Sequence, residues 1–226
     1  VPATVEKIRP CAFAHVEGFT SVKMSSPLKE IGEDAFNACR YLKTVTIPST
    51  VNKIADGAFA GSIKLTAINV ESGNTTYSSA DGVLYNAAQT ELVSYPAGKQ
   101  GPYTTLPTTK TIRTRAFYYA AGITKLTLTP GVEEIGNDAF QQTHNLKELV
   151  FQPTSTFKKM GTWAFVGSGL EKLELPASLE TLGTAAFNGC TKLKTVTVAD
   201  GSQLQMVGQS SFAGCTSLES FQFLGS

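Results

Sequence analysis

Histidine is scarce in this chain: two residues in 226, His15 and His144, far apart along the sequence. Neither is paired with another His at metal-ligand spacing, and there is no CxxC pair, so no metal site is assigned. A Gly-rich phosphate loop and a GxSxG nucleophile elbow are also missing. Carboxylates such as Glu133, Glu134 and Asp138 form no recurring pair aimed at one cleft. The expectation is therefore a protein that is not an enzyme, with no catalytic residue and no cofactor. Neither sign of charge prevails, since 19 Lys and Arg oppose 18 Asp and Glu for a net charge of +1. No basic stripe marks a nucleic-acid footprint. No apolar run approaches the length that spans a membrane, and no basic leader precedes an apolar segment.

What the chain does contain is repetition. An Ala-Phe pair recurs with anchors at Phe13, Phe36, Phe59, Phe117, Phe140, Phe165, Phe187 and Phe212. The intervals are about 22 to 25 residues, apart from a gap more than twice as long between Phe59 and Phe117. Periods in this range belong to solenoids, whose single unit cannot bury its own apolar side and stacks on copies of itself. The residue before the anchor is Ala in seven copies and Ser211 in the eighth, small enough to let coils approach while the ring fills the interior. Five residues before it stand Ile8, Ile31, Ile54, Ile112, Ile135, Met160, Leu182 and Val207, all apolar. After it come alternating pairs: Val45 and Ile47, Ile68 and Val70, Leu126 and Leu128, Leu173 and Leu175, Val196 and Val198, Phe221 and Phe223. Alternation with β-branched enrichment predicts short half-buried strands. Pro48, Pro130, Pro153 and Pro176 end them, because Pro cannot donate to a ladder. Gly32, Gly136, Gly161, Gly183 and Gly208 follow the Ile slot, where either a positive φ or a close backbone contact is expected.

The motifs LxxVxIP and IGxxAFxxCxxL, as in Leu42 to Pro48 and Ile31 to Leu42, resemble the BspA-like leucine-rich repeat family of bacterial surface proteins. The resemblance covers essentially the whole chain. It implies an α/β leucine-rich repeat solenoid, a right-handed superhelix with a parallel sheet of short strands, short helical or 3-10 turns, and one β-hairpin insertion. Residues 1–226 are expected to form a single array of about eight repeats with the insertion at 71–107. VPATVEKI at the start aligns with IPSTVNKI from Ile47 to Ile54, so the chain opens inside a repeat and is expected to be a fragment truncated at the N-terminus. At the other end Phe223-Leu224-Gly225-Ser226 stops just after a strand.

Three of the four cysteines, Cys39, Cys190 and Cys215, lie three residues after an anchor, a slot filled elsewhere by Ser62, Ala120, Thr143 and Ser168. Cys there reads as a small buried residue. Coils stack about 4.8 Å apart, so Cys190 and Cys215 on adjacent coils come within reach of each other. Parallel side chains seldom give a disulfide its dihedral, and all four thiols are expected free and slow to react.

The insertion, Glu71 to Pro107, holds Tyr77, Tyr85, Tyr95 and Tyr103. Asp81-Gly82 precedes a strand Val83 to Asn86, a turn follows, and Thr90 to Tyr95 returns as the second limb of a hairpin. Alternation places Val83, Tyr85, Val93 and Tyr95 on one packed face. Tyr77 and Tyr103 are expected to flank the hairpin, where rigid aromatic rings favour contact with a partner. Tyr118 and Tyr119 read as repeat packing. A second candidate is the outward strand face, with Thr44, Thr46, Ala67, Asn69, Lys125, Thr127, Glu148, Val150, Lys172, Glu174, Thr195, Thr197, Ser220 and Gln222. Asn74-Thr75-Thr76 is a formal glycosylation acceptor, a nearly empty signal in a bacterial-type repeat. The resemblance implies a surface or secreted scaffold for protein binding or cell adhesion, extracellular or on the cell surface, with a host matrix protein or another cell as partner. The alternative is a structural spacer that presents another domain of a longer protein.

Overall fold

In a computed structural model the described residues are all of 1–226 except Ala3, Phe19, Ser26 and Ser226. They divide into two compact units: Val1–Lys99 with Arg113–Ala120, and Gln100–Ile112 with Ala121–Ser226.

Both units are built from flat β-coils that carry two parallel ladders. In the first unit a narrow ladder joins Lys7–Ile8, Glu30–Ile31 and Lys53–Ile54, and a wide one joins Ser21–Val22, Thr44–Ile47 and Ala67–Val70. In the second unit the narrow ladder runs through Thr111–Ile112, Glu134–Ile135, Lys159–Met160, Thr181–Leu182 and Met206–Val207. Its wide ladder runs through Gly101–Thr104, Ile123–Leu128, Glu148–Phe151, Lys172–Leu175, Thr195–Val198 and Ser220–Phe223. Identical slots pair across coils, for example Val45 with Ile68 and Val196 with Phe221. Alternation follows the sequence: Val45, Ile47, Ile68, Leu126, Leu128, Leu173, Leu175, Val196 and Val198 are buried. Phe221 and Phe223 are exposed instead.

The expected α/β class, with helical or 3-10 turns, is corrected. Among the described residues there is no helix of any kind. The Ala-Phe segment is a run of turns whose alternate N–H groups bond to the next coil: Asp34 to Asp56 O, Phe36 to Ala58 O and Ala38 to Ala60 O, at 3.3, 2.7 and 2.8 Å. The intervening N–H groups close local turns, Ala35 to Gly32 O and Asn37 to Asp34 O. Asp34 and Ala38 both take φ of 52°, in the left-handed region. A right-handed helix cannot pass through two such residues four apart, so the segment turns inward twice and drops the Phe ring between them.

The anchors stack. Phe13, Phe36 and Phe59 lie with ring centroids 5.2 and 5.6 Å apart in the first unit. Phe140, Phe165, Phe187 and Phe212 follow at 4.7, 5.3 and 5.5 Å in the second. Each fully buried ring contributes on the order of 1.5–3 kcal/mol through burial, and the parallel stack adds about 0.5–1.5 kcal/mol per pair. The glycines after the Ile slot serve close approach rather than a positive φ. A Cβ on Gly183 would stand 2.5 Å from the carbonyl carbon of Gly161, and one on Gly161 the same distance from that of Gly136.

All four cysteines are free, with Cys39, Cys190 and Cys215 buried. The structure refines their slot: in four copies it holds a small donor. Cys39 Sγ donates to Phe13 O, Ser62 Oγ to Phe36 O, Cys190 Sγ to Phe165 O and Cys215 Sγ to Phe187 O, each reaching the anchor carbonyl of the preceding coil. Burial pushes the Cys39 thiol up, and the hydrogen bond with Cys215, with burial behind it, raises Cys190. Cys11 lies at the surface, unlike the other three, and the hydrogen bond with Cys190 lowers the Cys215 thiol.

Candidate binding surfaces

The insertion folds as a three-stranded antiparallel meander in the first unit, not a two-stranded hairpin: Tyr77–Ala80, Val83–Asn86 and Glu91–Ser94. Asp81-Gly82 makes the first turn, with φ of 49° and 75°. The side chain of Asn74 ties the start of the meander to the coils below. Its Nδ2 donates to Pro48 O and Val51 O at 2.9 Å, and its Oδ1 accepts from the N–H of Thr76 and Tyr77. This amide is committed to structure, so the acceptor motif at Asn74 marks a lock rather than a glycan site.

Three of the four insert tyrosines are enclosed. Tyr85 is wholly buried, and Val83 and Leu84 beside it are equally so, which corrects the expected one-sided face: this strand is covered on both sides. Tyr77, expected to stand clear of the hairpin, is also buried. Its phenol oxygen accepts the Ile54 N–H at 2.7 Å, where the narrow ladder of the first unit ends. Tyr95 is buried with its ring stacked on Phe117, centroids 4.4 Å apart. Its N–H bonds to Ala116 O at 2.8 Å, the same bond that Phe36 makes to Ala58 O. Ser94-Tyr95 therefore occupies an Ala-Phe slot, one repeat length before Phe117. Burial, with Asp81 nearby, pushes the Tyr95 phenol up to about 12. Tyr103 alone keeps partial exposure, on the strand Gly101–Thr104 of the second unit.

The outward strand face of the second unit is open. Thr127, Thr195 and Thr197 are half-exposed, and Glu148, Lys172 and Glu174 are exposed. Lys125 pairs with Glu148 at 2.8 Å, and Lys172 with Glu174 beside it. The wide ladder loosens at one place. Glu148–Phe151 and Lys172–Leu175 share the register pair Glu148 and Lys172, whereas the flanking strand pairs keep four. The coil from Phe165 to Phe187 is shorter than the coil from Phe140 to Phe165 before it, so its strand drifts from its neighbour. A groove of about 420 Å³ opens there, floored by Leu149, Val150 and Phe151 and rimmed by Lys147, Glu171, Lys172 and Glu174.

Elsewhere, His15 and His144 are both exposed. Among the described residues no group of three or more His, Cys, Asp or Glu is placed to hold a metal ion. No helix of the structure is long and apolar enough to cross a membrane.

Stacked β-coils with a Phe column, two parallel ladders and left-handed turns beside each anchor define a leucine-rich repeat solenoid. The chain belongs to the family described as BspA type leucine rich repeat region, with six copies, matched over residues 1–97 and 110–226. No curated protein sequence is significantly similar to it. Among solved structures it resembles the pneumococcal vaccine antigen PcpA, at 29% identity and a TM-score of 0.81, over 89% of this chain and 50% of that one. It also resembles a leucine-rich repeat protein from Eubacterium ventriosum, at 27% identity and a TM-score of 0.86, over 98% of this chain and 64% of the other. A leucine rich cell surface protein from Faecalibacterium prausnitzii shares the fold at 22% identity, with a TM-score of 0.85, over all of this chain and 59% of that one. This chain thus spans between half and just under two thirds of the length of these relatives.

Proposed function

We propose that the chain is a non-enzymatic scaffold, on the cell surface or secreted, that mediates adhesion by binding a protein such as a host matrix component. Family membership and the likeness to a pneumococcal vaccine antigen support a surface setting. The observation that carries the binding reading is the outward strand face of the second unit. It is solvent-open, its charges of both signs are displayed in register, and its apolar floor of Val150 and Phe151 is uncovered in the groove. A small apolar centre within a polar rim is how protein interfaces are composed. Tyr103, half-exposed on an outer strand of the same ladder, is in register with the inward-facing Leu126, so the outward face at that strand is carried by Thr104 beside Thr127. The test is surface capture on immobilised extracellular-matrix proteins with the wild type and with a Val150→Arg, Lys172→Glu variant. Both changes are on exposed or half-exposed positions, so the fold should be kept while capture falls by roughly tenfold or more. Capture that is undiminished in the variant, or absent for the wild type across the panel, overturns the reading and leaves the spacer alternative.

A further inference from the structure

A different surface of the first unit, on its turn edge, carries the residues of a second site. The turn column holds His15, Ala38, Gly61 and Tyr119 at equivalent positions two residues after their anchors, all with positive φ between 52° and 67°. In most regular coils this column carries a small residue. In the long coil it is interrupted: after Tyr95 the chain leaves the edge at once, Pro96 and Ala97 are buried, and Gly98 N–H bonds to Leu65 O at 2.8 Å. Tyr118 steps into the gap. Its carbonyl accepts the Gly61 N–H at 3.2 Å, and a Cβ on Gly61 would be 3.7 Å from its ring.

The result is a pocket of about 340 Å³ with Ala38 and Gly61 as floor. Tyr118 and Tyr119 form one wall, set edge to face with centroids 4.8 Å apart, and Ile63 extends the apolar surface. His15, Asn37 and Arg40 supply the polar side. Tyr119 is 41% exposed and Ile63 42%, so both present apolar area to solvent. A bulky residue in the left-handed region is strained, and the equivalent position is Gly in Gly61, Gly167, Gly189 and Gly214. Tyr119 keeps a large part of its ring in solvent despite that strain.

The charge around the pocket is one-sided. Arg40 forms no ion pair among the described residues, and no carboxylate lines the cavity. The acid of the same turn, Asp34, is held by Arg115 at 2.6 Å and by the Asn37 amide at 3.0 Å. An anionic or neutral ligand is favoured, and a cation is disfavoured. The cavity is at the small end of the range for ligand sites. An open aromatic face attracts polarised C–H bonds, because its quadrupole is negative above the ring. A guanidinium with no partner takes a carboxylate through paired N–H bonds.

We propose that this pocket binds a carboxylated sugar, with the C–H face of the ring on Tyr119, the carboxylate on Arg40, and hydroxyls on Asn37 and His15. The site is independent of the strand face and does not rest on it.

Saturation-transfer NMR with 3′-sialyllactose, lactose and an oligoglutamate peptide as probes tests this directly. Transfer to the sialic acid ring of sialyllactose is expected, weaker transfer to lactose, and none to the peptide. Tyr119→Gly adopts the residue other coils carry at this position, so it should fold normally and weaken sialyllactose binding by roughly tenfold or more. Arg40→Gln should bring sialyllactose down to the level of lactose. If Tyr119→Gly lowers the melting midpoint, Arg40→Gln decides the matter alone, since that side chain is exposed and unpaired. The proposal is overturned by silence from both sugars, by binding that survives either change, or by the peptide binding while the sugars do not.

Discussion

The regular coils and the long coil of the first unit perform the same tasks with different materials. Between regular coils, each strand edge is satisfied by the backbone of the next copy, as Glu30–Ile31 is by Lys53–Ile54. At the long coil no copy follows in register, and side chains and turn atoms take over. The Tyr77 phenol accepts the Ile54 N–H, Gly82 O accepts the Ile68 N–H at 2.8 Å, and Ser79 Oγ accepts the Val70 N–H at 3.3 Å. Both ladders of the first three coils are thus capped by one meander, which protects edges that would otherwise invite pairing with another chain. The aromatic column then resumes at Tyr95. An insertion that looks in sequence like an appendage is a cap on those coils, with Tyr77 closing a ladder edge and Tyr95 filling the column.

The sharpest way to break this comparison is to delete a ring from each type of coil. Phe140→Ala, in a regular stack, should cost about 3–5 kcal/mol. Tyr95→Ala should cost the same order, roughly 3–5 kcal/mol, because its ring fills an equivalent slot against Phe117. Denaturant midpoints, with slopes checked for two-state behaviour, measure both. A loss below about 1 kcal/mol for Tyr95→Ala would return the insertion to the status of an appendage.

Tyr95 differs from a Phe anchor in carrying a proton, and alkaline pH exposes that difference. An unfolded phenol ionises near 10, whereas the folded one is pushed up to about 12, first by burial and then by Asp81. Between these values the unfolded chain has released its proton and the folded chain has kept it. Stability therefore falls as pH rises through the window and is unaffected below it. The loss is on the order of 2–3 kcal/mol across the window. Tyr95→Phe should flatten this part of the alkaline limb relative to wild type. An unchanged limb in the variant would mean the phenol is not shielded.

Much of the solenoid was legible because its signals are local: the anchor, the small residue before it and the alternating pair all specify burial by type. Tyr95 was hidden by alignment on Phe alone, although Ser before an aromatic, one repeat length ahead of Phe117, matches the Ser211-Phe212 variant of the same pair. The turns were not legible as non-helical. Their left-handed positions hold Cys11, Asp34, Arg115, Trp163 and Ala185 as well as Gly57, and this mixture bears no turn signature. The conformation there is imposed by hydrogen bonds to the next coil rather than by local preference. For the same reason Tyr119 passed for packing, when a bulky residue in a column where Gly and Ala also occur was the available sign of an exposed ring.

The capping role of Tyr77 separates from its bulk by removing one atom. Tyr77→Phe keeps the ring and leaves the buried Ile54 N–H without the acceptor it has at 2.7 Å. An orphaned buried donor costs about 1–3 kcal/mol, and some relaxation towards solvent should place this one at the lower end. Hydrogen exchange at the Ile54 amide should quicken along with a modest fall in midpoint. Exchange as slow as in wild type would show that the edge is closed by something other than the phenol.

The smallest effect should come from the strand face, and its smallness is what the comparison requires. Thr46 and Thr127 point outward from regular strands, exposed and half-exposed, opposite Asn69 and Val150. Neither hydroxyl takes part in a hydrogen bond among the described residues, and neither fills the core. Thr→Ala at each gives up β-propensity and a cross-strand contact, worth roughly 0.2–1 kcal/mol in a paired strand, and relieves some side-chain entropy in exchange. Thr46→Ala and Thr127→Ala should therefore lie within about half a kcal/mol of wild type. Such tolerance is what leaves the face of the second unit free to vary for a partner, while the enclosed tyrosines of the insertion are not free to do so. A loss of about 2 kcal/mol or more at Thr127, read from the same denaturant curves, would reverse that division: the face would then belong to the folded core, and the search for a partner would move to the turn edge.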